Sequence, residues 1–447
     1  MSSSQDLHVV VGLGVTGLSC VRYLKNKGVN VAVVDTRDNP PGLTEFMQHY
    51  SDVPVVLGAL DDTLLDKASV LIVSPGLSLQ VPVIQRQIAR GVPVIGDIEL
   101  FATAVKAPVI GITGTNAKST VTTLVGEMAK TAGLDVRVGG NLGVPALDLL
   151  AVHSPELFVL ELSSFQLETT YSLAPQVACI LNITPDHMDR YASVEEYTQA
   201  KQRIYEGCQV AVCNRDDPQT DCGNQFINRK LQFTLNESGK DEFGLIKKGN
   251  DTYLAYEQQL LMPVRELPIL GRHYQANALA ALAMGYGFGL QMEPMLKTLR
   301  EFKGLPHRCQ LVRERNGVRW YNDSKGTNVG ATNAAIEGLG SEIEGKLVLI
   351  AGGLGKNADF SPLVPPLEKY ARTVVLIGEA APILAKVMEN KVNFQRAKDM
   401  EEAVLICERL AQPGDSVLLS PACASWDMFK NFEHRGDVFA KLVQGLT

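Results

Sequence analysis

The sequence predicts an α/β protein of three domains. The chain has 447 residues, enough for about three domains of ordinary size. Short apolar runs that end in glycine or small polar residues recur along it, and helical stretches follow most of them. Continuous apolar strands alternating with helices are typical of parallel sheets covered on both faces. In such sheets ligands bind beyond the carboxyl ends of the strands, where this sequence places Gly, Ser, Thr, Asn and Asp.

The runs that predict strands are taken in chain order. They are LHVVVGLG near Leu7, VNVAVVD near Val29, ASVLIVSPG at Ala68, APVIGITGTN at Ala107, LFVLELSS, VACILNIT, GCQVAVCN, KLVLIAGG at Lys346, RTVVLIG at Arg372 and DSVLLSPACAS at Asp415.

These runs divide the chain into three predicted units. Residues 1–96 are expected to form a Rossmann-like domain, and residues 97–303 a central domain of the P-loop ATPase type with a parallel sheet. Within the central domain, residues 221–268 are expected to form a small subsheet of polar strands. Residues 304–447 are predicted to form a second Rossmann-like domain at the C-terminal end.

Composition excludes several classes of protein. With 45% apolar and 20% charged residues, the chain is not expected to be disordered. A net charge of −7 gives no support for nucleic-acid binding. No apolar run approaches the roughly 20 residues of a membrane helix, and the first residues do not resemble a secretory signal. The 8 cysteines show no CxxC pair. Reduced structural thiols and a cytoplasmic location are therefore expected.

A phosphate loop is predicted where the strand at Ala107 meets a helix, in APVIGITGTNAKSTVTTL. Its backbone N–H groups and the helix N-terminus suit a phosphate, Lys118 can neutralise phosphate charge, and Ser119 can bind Mg²⁺. Ala117 stands where a glycine normally precedes the lysine. The candidate nucleotide residues of this loop are Gly114, Thr115, Asn116, Ala117, Lys118, Ser119 and Thr120.

Polar residues beyond two later strands point toward the same loop. Glu161 ends one predicted strand, and His187 follows the next. Glu161 and Ser119 offer the oxygen ligands that Mg²⁺ prefers, whereas an imidazole ligand is less usual. Taken alone, Glu161 fits a solvated acid and His187 a packing histidine about as well, and Lys201 is more typical of a surface lysine.

A glycine motif near the N-terminus gives a rival interpretation. Gly12, Gly14 and Gly17 form GxGxxG after a strand, and Asp35 ends the next strand. This is the pattern of a dinucleotide site, so an NAD-dependent oxidoreductase is the alternative hypothesis. The phosphate loop near Lys118 argues against it, because such an oxidoreductase does not need an ATP-type loop.

GITGTNAKSTVTTL resembles the TGTNGK[ST]-T loop of the Mur ligase superfamily, whose members are three-domain, ATP-dependent, amide-forming enzymes. DTR-x-x-PPG, LELSSFQLETT and LSPACAS resemble the branch that adds D-glutamate to UDP-N-acetylmuramoyl-L-alanine in bacterial peptidoglycan synthesis. The motifs occur in family order over nearly the whole chain. The resemblance implies ATP and Mg²⁺ as cofactors, with two ions, and these two small molecules as substrates. A monomer without nucleic-acid or membrane partners is expected.

The resemblance also implies roles for individual residues. Those expected around the UDP substrate are Val15, Thr16, Asp35, Thr36, Arg37, Gly76, Asn141 and His187. Those expected at ATP, besides the loop, are Asn277, Arg308 and Asp323. Those expected at D-glutamate are Thr327, Lys356, Ser425 and Phe432. The expected metal ligands are Ser119, Glu161, His187 and Lys201 as a carbamate. The expected catalytic residues are Lys118, Glu161, His187, Lys201 and Lys325.

The implied reaction passes through an acyl phosphate, made from the substrate carboxylate and ATP and then attacked by the D-glutamate amine. The sequence leaves open whether His187 is the base or serves only in binding. A hinge near Lys303 is expected to bring the phosphate loop and the glutamate site together.

Overall fold

The computed structural model describes residues 6–150, 155–223, 228–269, 271–356 and 358–446. Three sheets organise these residues, in the order of the three predicted units. The α/β fold class predicted from the sequence is confirmed. No helix in the described ranges is long and apolar enough to cross a membrane.

The N-terminal sheet has five parallel strands in the order β3-β2-β1-β4-β5. They are β1 (Leu7–Val11), β2 (Asn30–Asp35), β3 (Val55–Leu57), β4 (Val70–Val73) and β5 (Val94–Ile95). The helices of this region are α1 (Val15–Asn26), α2 (Leu43–His49), α3 (Asp62–Leu65), α4 (Pro82–Ala89) and α5 (Asp97–Ala104). A Cβ at Gly17 would lie 1.8 Å from the Gly12 carbonyl oxygen. The third glycine of the motif is thus required for close packing of α1 on β1.

The central sheet has nine strands in the order β14-β13-β12-β11-β10-β9-β6-β8-β7. They are β6 (Val109–Thr113), β7 (Val136–Gly140), β8 (Leu157–Glu161), β9 (Val177–Ile180), β10 (Val210–Asn214), β11 (Arg229–Phe233), β12 (Glu242–Lys248), β13 (Asp251–Tyr256) and β14 (Gln259–Pro263). Strands β12 to β14 pair antiparallel and the others pair parallel. The polar strands predicted between residues 221 and 268 extend the central sheet as this antiparallel edge.

The helices of the central region include the one that follows the phosphate loop. They are α6 (Lys118–Thr131), α7 (Ser164–Leu167), α8 (Val194–Gln202), α9 (Arg272–Phe288) and α10 (Met292–Glu301). Short 3₁₀ turns cover 146–150, 203–205, 218–220 and 264–266.

The C-terminal sheet has six strands in the order β15-β16-β20-β17-β18-β19, and only β15 pairs antiparallel. They are β15 (Gln310–Arg315), β16 (Val318–Asn322), β17 (Leu347–Gly352), β18 (Ala371–Ile377), β19 (Phe394–Arg396) and β20 (Ser416–Leu419). The helices are α11 (Val329–Gly340), α12 (Val364–Tyr370), α13 (Ala381–Met388), α14 (Met400–Leu410) and α15 (Phe432–Gln444). A 3₁₀ turn covers 361–363.

The cores explain why the strands are continuously apolar. Along β17, Leu347 and Leu349 belong to one buried cluster, while Val348 and Ile350 belong to another on the opposite face. Both faces of the strand are therefore packed, as in a parallel sheet covered by helices. A further cluster joins the first two regions, since Val10 and Phe158 belong to the same core.

Candidate active site

The phosphate loop connects β6 to α6 at the carboxyl edge of the central sheet. Lys118 opens the helix, and its amine donates hydrogen bonds to the carbonyl oxygens of Gly114 and Thr115, at 2.9 and 2.8 Å. Burial lowers the pKa of Lys118. The Lys118 amine thus bonds to carbonyl oxygens of its own loop, and a bound phosphate would replace these oxygens as its partners.

Ala117 takes the backbone conformation that favours glycine, with φ +66° and ψ −5°. A left-handed conformation costs an L-residue about 1–2 kcal/mol, which glycine does not incur. The loop therefore keeps a left-handed turn before Lys118 despite the methyl group, and Ala117 carries the strain.

Glu161 lies at the end of β8, opposite Ile112 of β6, so the strand register places it beside the phosphate loop. Its carboxylate is buried, at 3% exposure. One oxygen accepts a hydrogen bond of 2.7 Å from the Asn141 side chain. The other, Oε2, is buried without a partner. A buried carboxylate oxygen without a donor is unfavourable unless something positive reaches it.

This unpartnered oxygen is the observation that tests the predicted Mg²⁺ ligands. Oxygen donors suit the ion, and the Ser119 hydroxyl and Glu161 supply them here. The described ranges contain no cluster of three or more His, Cys, Asp or Glu side chains able to hold a metal. The chain thus fits Mg²⁺ as a site with few protein ligands, a usual arrangement when substrate phosphates complete the coordination.

Lys201 lies at the carboxyl end of α8 and is 1% exposed. Its amine donates to the Gly114 carbonyl oxygen at 2.9 Å and lies 4.5 Å from the centre of the Tyr197 ring. Burial, reinforced by the charge of Lys118, holds the pKa of Lys201 well below its usual value. The possibility that Lys201 is an ordinary surface lysine does not fit this position.

His187 follows β9 and lies against aromatic rings. Its ring centre is 4.8 Å from that of Phe165, and its backbone has a φ of +57°. Burial lowers the pKa of His187, and the charges of Lys356 and Lys118 lower it further. The imidazole is therefore neutral near pH 7 and lies between the phosphate loop and the C-terminal region.

Residues of the C-terminal region reach the phosphate loop. Arg308 donates a hydrogen bond of 2.7 Å to the Ser119 hydroxyl. Asn328 donates to the Asn116 and Asp186 side chains, at 3.2 and 3.1 Å. These contacts bring the loop and the last domain together.

Lys325 and Asp323 lie next to Arg308. The Lys325 amine lies 3.8 Å from the centre of the Phe432 ring. Burial, together with the charges of Arg308 and Lys118, lowers the pKa of Lys325 to about 8. Burial raises the pKa of Asp323 to about 6, and the Ser420 hydroxyl donates to its carboxylate at 2.7 Å.

A cavity of about 300 Å³ opens between the central and C-terminal regions. The predicted nucleotide residues that line it, together with Lys325, are Asn116, Ala117, Thr120, Asn277, Arg308 and Asp323. Gly114, Thr115, Lys118 and Ser119 lie in the loop beside it and do not line it. Tyr274 also lines the cavity, and its buried hydroxyl has no partner in the described residues.

A second cavity, of about 610 Å³, lies at the carboxyl ends of the N-terminal strands. All the residues predicted around the UDP substrate except His187 line it: Val15, Thr16, Asp35, Thr36, Arg37, Gly76 and Asn141. The Asn141 side chain also donates to Glu161, so one residue that lines this cavity contacts the carboxylate beside the phosphate loop.

Asp35 is fully engaged within this cavity. Leu13 donates its backbone N–H to Oδ2 at 2.6 Å, and Arg37 donates to both carboxylate oxygens. A carboxylate has about four acceptor sites, and these four bonds use them. The hydrogen bond to a ribose required by the dinucleotide interpretation is thus available only if Arg37 moves away.

The residues predicted at D-glutamate lie at the carboxyl edge of the C-terminal sheet. Lys356 follows β17, and Ser425 follows β20 at 2% exposure. Phe432 opens α15, and the Thr327 backbone N–H donates to the Lys325 carbonyl oxygen at 2.8 Å. The Lys356 amine lies 5.1 Å from the centre of the exposed Trp426 ring.

Sequence reasoning missed two residues that shape the site. Tyr197 lies one turn before Lys201 on α8, and its hydroxyl is 3.2 Å from that of Thr115. This i, i+4 spacing was the available signal. Arg435, 1% exposed, donates to Ser324 and to the Cys423 carbonyl oxygen. It ties the segments of Lys325 and Ser425 together, and no sequence pattern indicated it.

Three family descriptions match successive parts of the chain. "Mur ligase MurD-like, N-terminal domain" matches residues 6–96, "Mur ligase middle domain" residues 112–285, and "Mur ligase, glutamate ligase domain" residues 307–423.

Curated relatives are similar over full length. A UDP-N-acetylmuramoylalanine–D-glutamate ligase of Pseudomonas putida is 55% identical, covering 100% of this chain and 99% of the relative. One from Coxiella burnetii is 50% identical, covering 99% and 100%.

Solved structures share the fold at low identity. The MurF ligase of Thermotoga maritima in complex with ADP has a TM-score of 0.63 at 17% identity and covers 99% of this chain and 97% of its own. A pseudomurein peptide ligase type C from Methanothermus fervidus has a TM-score of 0.62 at 19% identity, covering 99% and 100%.

Proposed function

This chain belongs to the Mur ligase family, and we propose a division of labour among its residues in the family's D-glutamate-adding reaction. The enzyme joins D-glutamate to UDP-N-acetylmuramoyl-L-alanine at the expense of ATP, in peptidoglycan precursor synthesis. The observation that carries the proposal is the meeting of Lys118, Arg308 and Lys325 beside Glu161 and the phosphate loop.

The first step brings two anions together. A carboxylate oxygen of the L-alanyl group attacks the γ-phosphorus of ATP, the bond to the β,γ-bridging oxygen breaks, and ADP leaves with its electron pair. Lys118, Arg308 and Lys325 offset the repulsion and stabilise the charge that develops on the moving phosphoryl group. Burial lowers the pKa values of all three side chains, and the charge of Arg308 lowers those of Lys118 and Lys325 further. A bound triphosphate would favour their charged forms.

Glu161 and Ser119 are the residues that would hold Mg²⁺ most directly, and we include His187 and modified Lys201 as the further ligands of two ions. When bound, Mg²⁺ neutralises phosphate charge and polarises the phosphoryl oxygens. Arg308 donates to the Ser119 hydroxyl, and it would turn to a phosphate when that hydroxyl binds the ion.

The surroundings of Lys201 support its carbamylation. Carbon dioxide reacts with a neutral amine: the nitrogen lone pair forms the N–C bond, one C=O π bond opens onto oxygen, and the amine loses a proton to solvent, leaving a carbamate anion. Burial next to cationic Lys118 favours that neutral amine. The modification would convert an unfavourable buried cation into an anion facing Lys118, which is electrostatically favourable.

The second step forms the amide. The D-glutamate amine attacks the acyl carbon, and the C–N bond forms in a tetrahedral intermediate. The C–O bond to the phosphoryl group then breaks, phosphate leaves with the electron pair, and the carbonyl re-forms. Lys356 and Ser425 would bind the glutamate carboxylates, with Phe432 as a wall and Thr327 nearby. A base must take a proton from the amine. His187 is neutral and lies in the charge field of Lys356, which suits that role or a binding role.

Closure protects the intermediate. The acyl phosphate would hydrolyse if water reached it, and contacts such as Asn328 with Asn116 bring the glutamate domain over the phosphate loop. The hinge near Lys303 stays a prediction, as do the monomeric state and the cytoplasmic location.

The decisive experiment measures ADP and phosphate release with Mg-ATP and UDP-N-acetylmuramoyl-L-alanine. D-Glutamate, L-glutamate and no amino acid are compared. Release that requires D-glutamate, with a UDP product heavier by one glutamyl unit, is expected. Release of equal size without amino acid, or none with D-glutamate, would contradict the proposal.

A further inference from the structure

Trp426 is unusually placed for a large aromatic residue. It is 66% exposed, whereas its neighbour Ser425 is 2% exposed and the other tryptophan, Trp320, is buried at 2%. Its indole therefore lies in solvent directly beside a buried serine that is predicted to bind D-glutamate.

The contact of Trp426 is with a cation. The Lys356 amine lies 5.1 Å from the centre of its indole ring, within the range of a cation–π interaction. No carboxylate among the described residues lies within 4.0 Å of this amine. Lys356 is held in a left-handed backbone conformation, with φ +48°. Its ammonium therefore has an aromatic partner and no anionic one.

An aromatic partner leaves the N–H donors of the Lys356 ammonium free, whereas an anionic partner does not. A carboxylate beside Lys356 would take its N–H donors and neutralise its charge, so an incoming acid would have to displace it. The ring attracts the ammonium through its negative face and accepts no conventional hydrogen bond. The three donors of the ammonium stay available for a substrate carboxylate. Leucine at this position has no such attraction.

We propose that Trp426 is a positioning residue for the amino-acid substrate: its ring holds the Lys356 ammonium in place to receive a carboxylate of D-glutamate. The inference rests on the proposed function, since it assumes that Lys356 binds glutamate. It assigns to Trp426 a selective role, because preplacing one cation strengthens binding of acidic amino acids without affecting the nucleotides.

The kinetic test replaces the ring. Trp426→Leu is expected to raise KM for D-glutamate about two- to fivefold, the range of an exposed cation–π contact. kcat and the KM for ATP and for the UDP substrate should stay unchanged. Trp426→Phe, which keeps a weaker aromatic face, should fall between wild type and Trp426→Leu. An unchanged KM for D-glutamate in Trp426→Leu, or equal rises in all three KM values, would overturn the inference.

The spectroscopic test does not depend on turnover. Because Trp320 is buried, exposed Trp426 should dominate any change in tryptophan emission when D-glutamate is added to the full chain with ADP and Mg²⁺. Trp320→Phe should keep that change and Trp426→Phe should lose it. An identical response in Trp426→Phe would overturn the inference.

The two tests separate this inference from the function itself. Absence of D-glutamate-dependent ADP release in the wild type contradicts the function, whatever the emission shows. Normal release in the wild type, with Trp426→Leu indistinguishable from it, contradicts only the role of Trp426.

Discussion

The side-chain amine of Lys201 donates a hydrogen bond of 2.9 Å to the carbonyl oxygen of Gly114. The same oxygen accepts from Lys118, also at 2.9 Å. Two buried lysines therefore share one acceptor in the phosphate loop. Like charges so close together are unfavourable, and loss of the charge on Lys201 relieves the repulsion.

Lys201→Ala should remove most of the activity, because the carbamate would be lost, and millimolar acetate or formate should restore part of it by occupying the vacated space. Lys118→Ala is the matched control, since a carboxylate cannot replace a phosphate-binding ammonium. ADP release in a carboxylate titration measures both. Full activity of Lys201→Ala without additive would contradict the carbamate, and absence of any rescue would weaken it.

Ala117→Gly should stabilise the protein by about 0.5–1 kcal/mol, because glycine takes the φ of +66° without the cost that an L-residue bears. The KM for ATP should also fall, since Ala117 lines the nucleotide cavity. Ala132→Gly is the control: Ala132 has a φ of −76°, so glycine there brings only its entropic cost. Urea unfolding measures both, and equal destabilisation of the two variants would refute the strain at Ala117.

Asp97→Asn should raise stability at neutral pH. Burial raises the pKa of Asp97 to about 6, one of its oxygens has no partner in the described residues, and the Gln166 amide donates to the other at 2.9 Å. A carboxyl whose folded pKa lies above its unfolded value of about 3.9 binds more protons when folded. The free energy of unfolding therefore falls as pH rises from about 4 to 6, by at most about 3 kcal/mol.

The measurement for Asp97 is urea unfolding of wild type and Asp97→Asn between pH 4 and pH 8. The variant should be similar to wild type or less stable near pH 4, and its relative stability should increase through pH 6. Asp66→Asn, an exposed carboxylate, is the control, and it should show no such increase. A difference between Asp97→Asn and wild type that is constant with pH would show that this carboxyl does not titrate as described.

Asn328→Asp should favour opening of the last domain. The substitution keeps an oxygen that caps α11 through the Ala331 N–H, but it replaces the donor shared by Asn116 and Asp186 with a charge facing Asp186. We expect a larger radius of gyration in solution scattering and a KM for ATP raised about tenfold, from a lost hydrogen bond to a charged group. Asn328→Ser, which keeps the cap and adds no charge, should have the smaller effect. An unchanged scattering profile in Asn328→Asp would contradict a role in closure.

Much of the fold was predictable from the sequence because burial on both faces makes parallel strands continuously apolar. The runs at Leu7, Ala107 and Lys346 all form strands. The strands at 55–57 and 394–396 were not predicted, since three residues at a sheet edge give no run to recognise. Strand order was also not predictable from local sequence patterns, because it depends on how the helices that connect the strands pack against the sheet.

The sequence by itself determined the phosphate loop, the strand-end acids and the family, because each is recognised from the spacing of residues within a contiguous segment. Only the tertiary structure decided that Lys201 is buried, that Arg308 of the C-terminal region reaches Ser119, and that Trp426 faces Lys356. Burial, charge pairing and cation–π contact depend on distances between segments far apart in the chain. Such distances are set by packing of the whole molecule, so no local spacing encodes them.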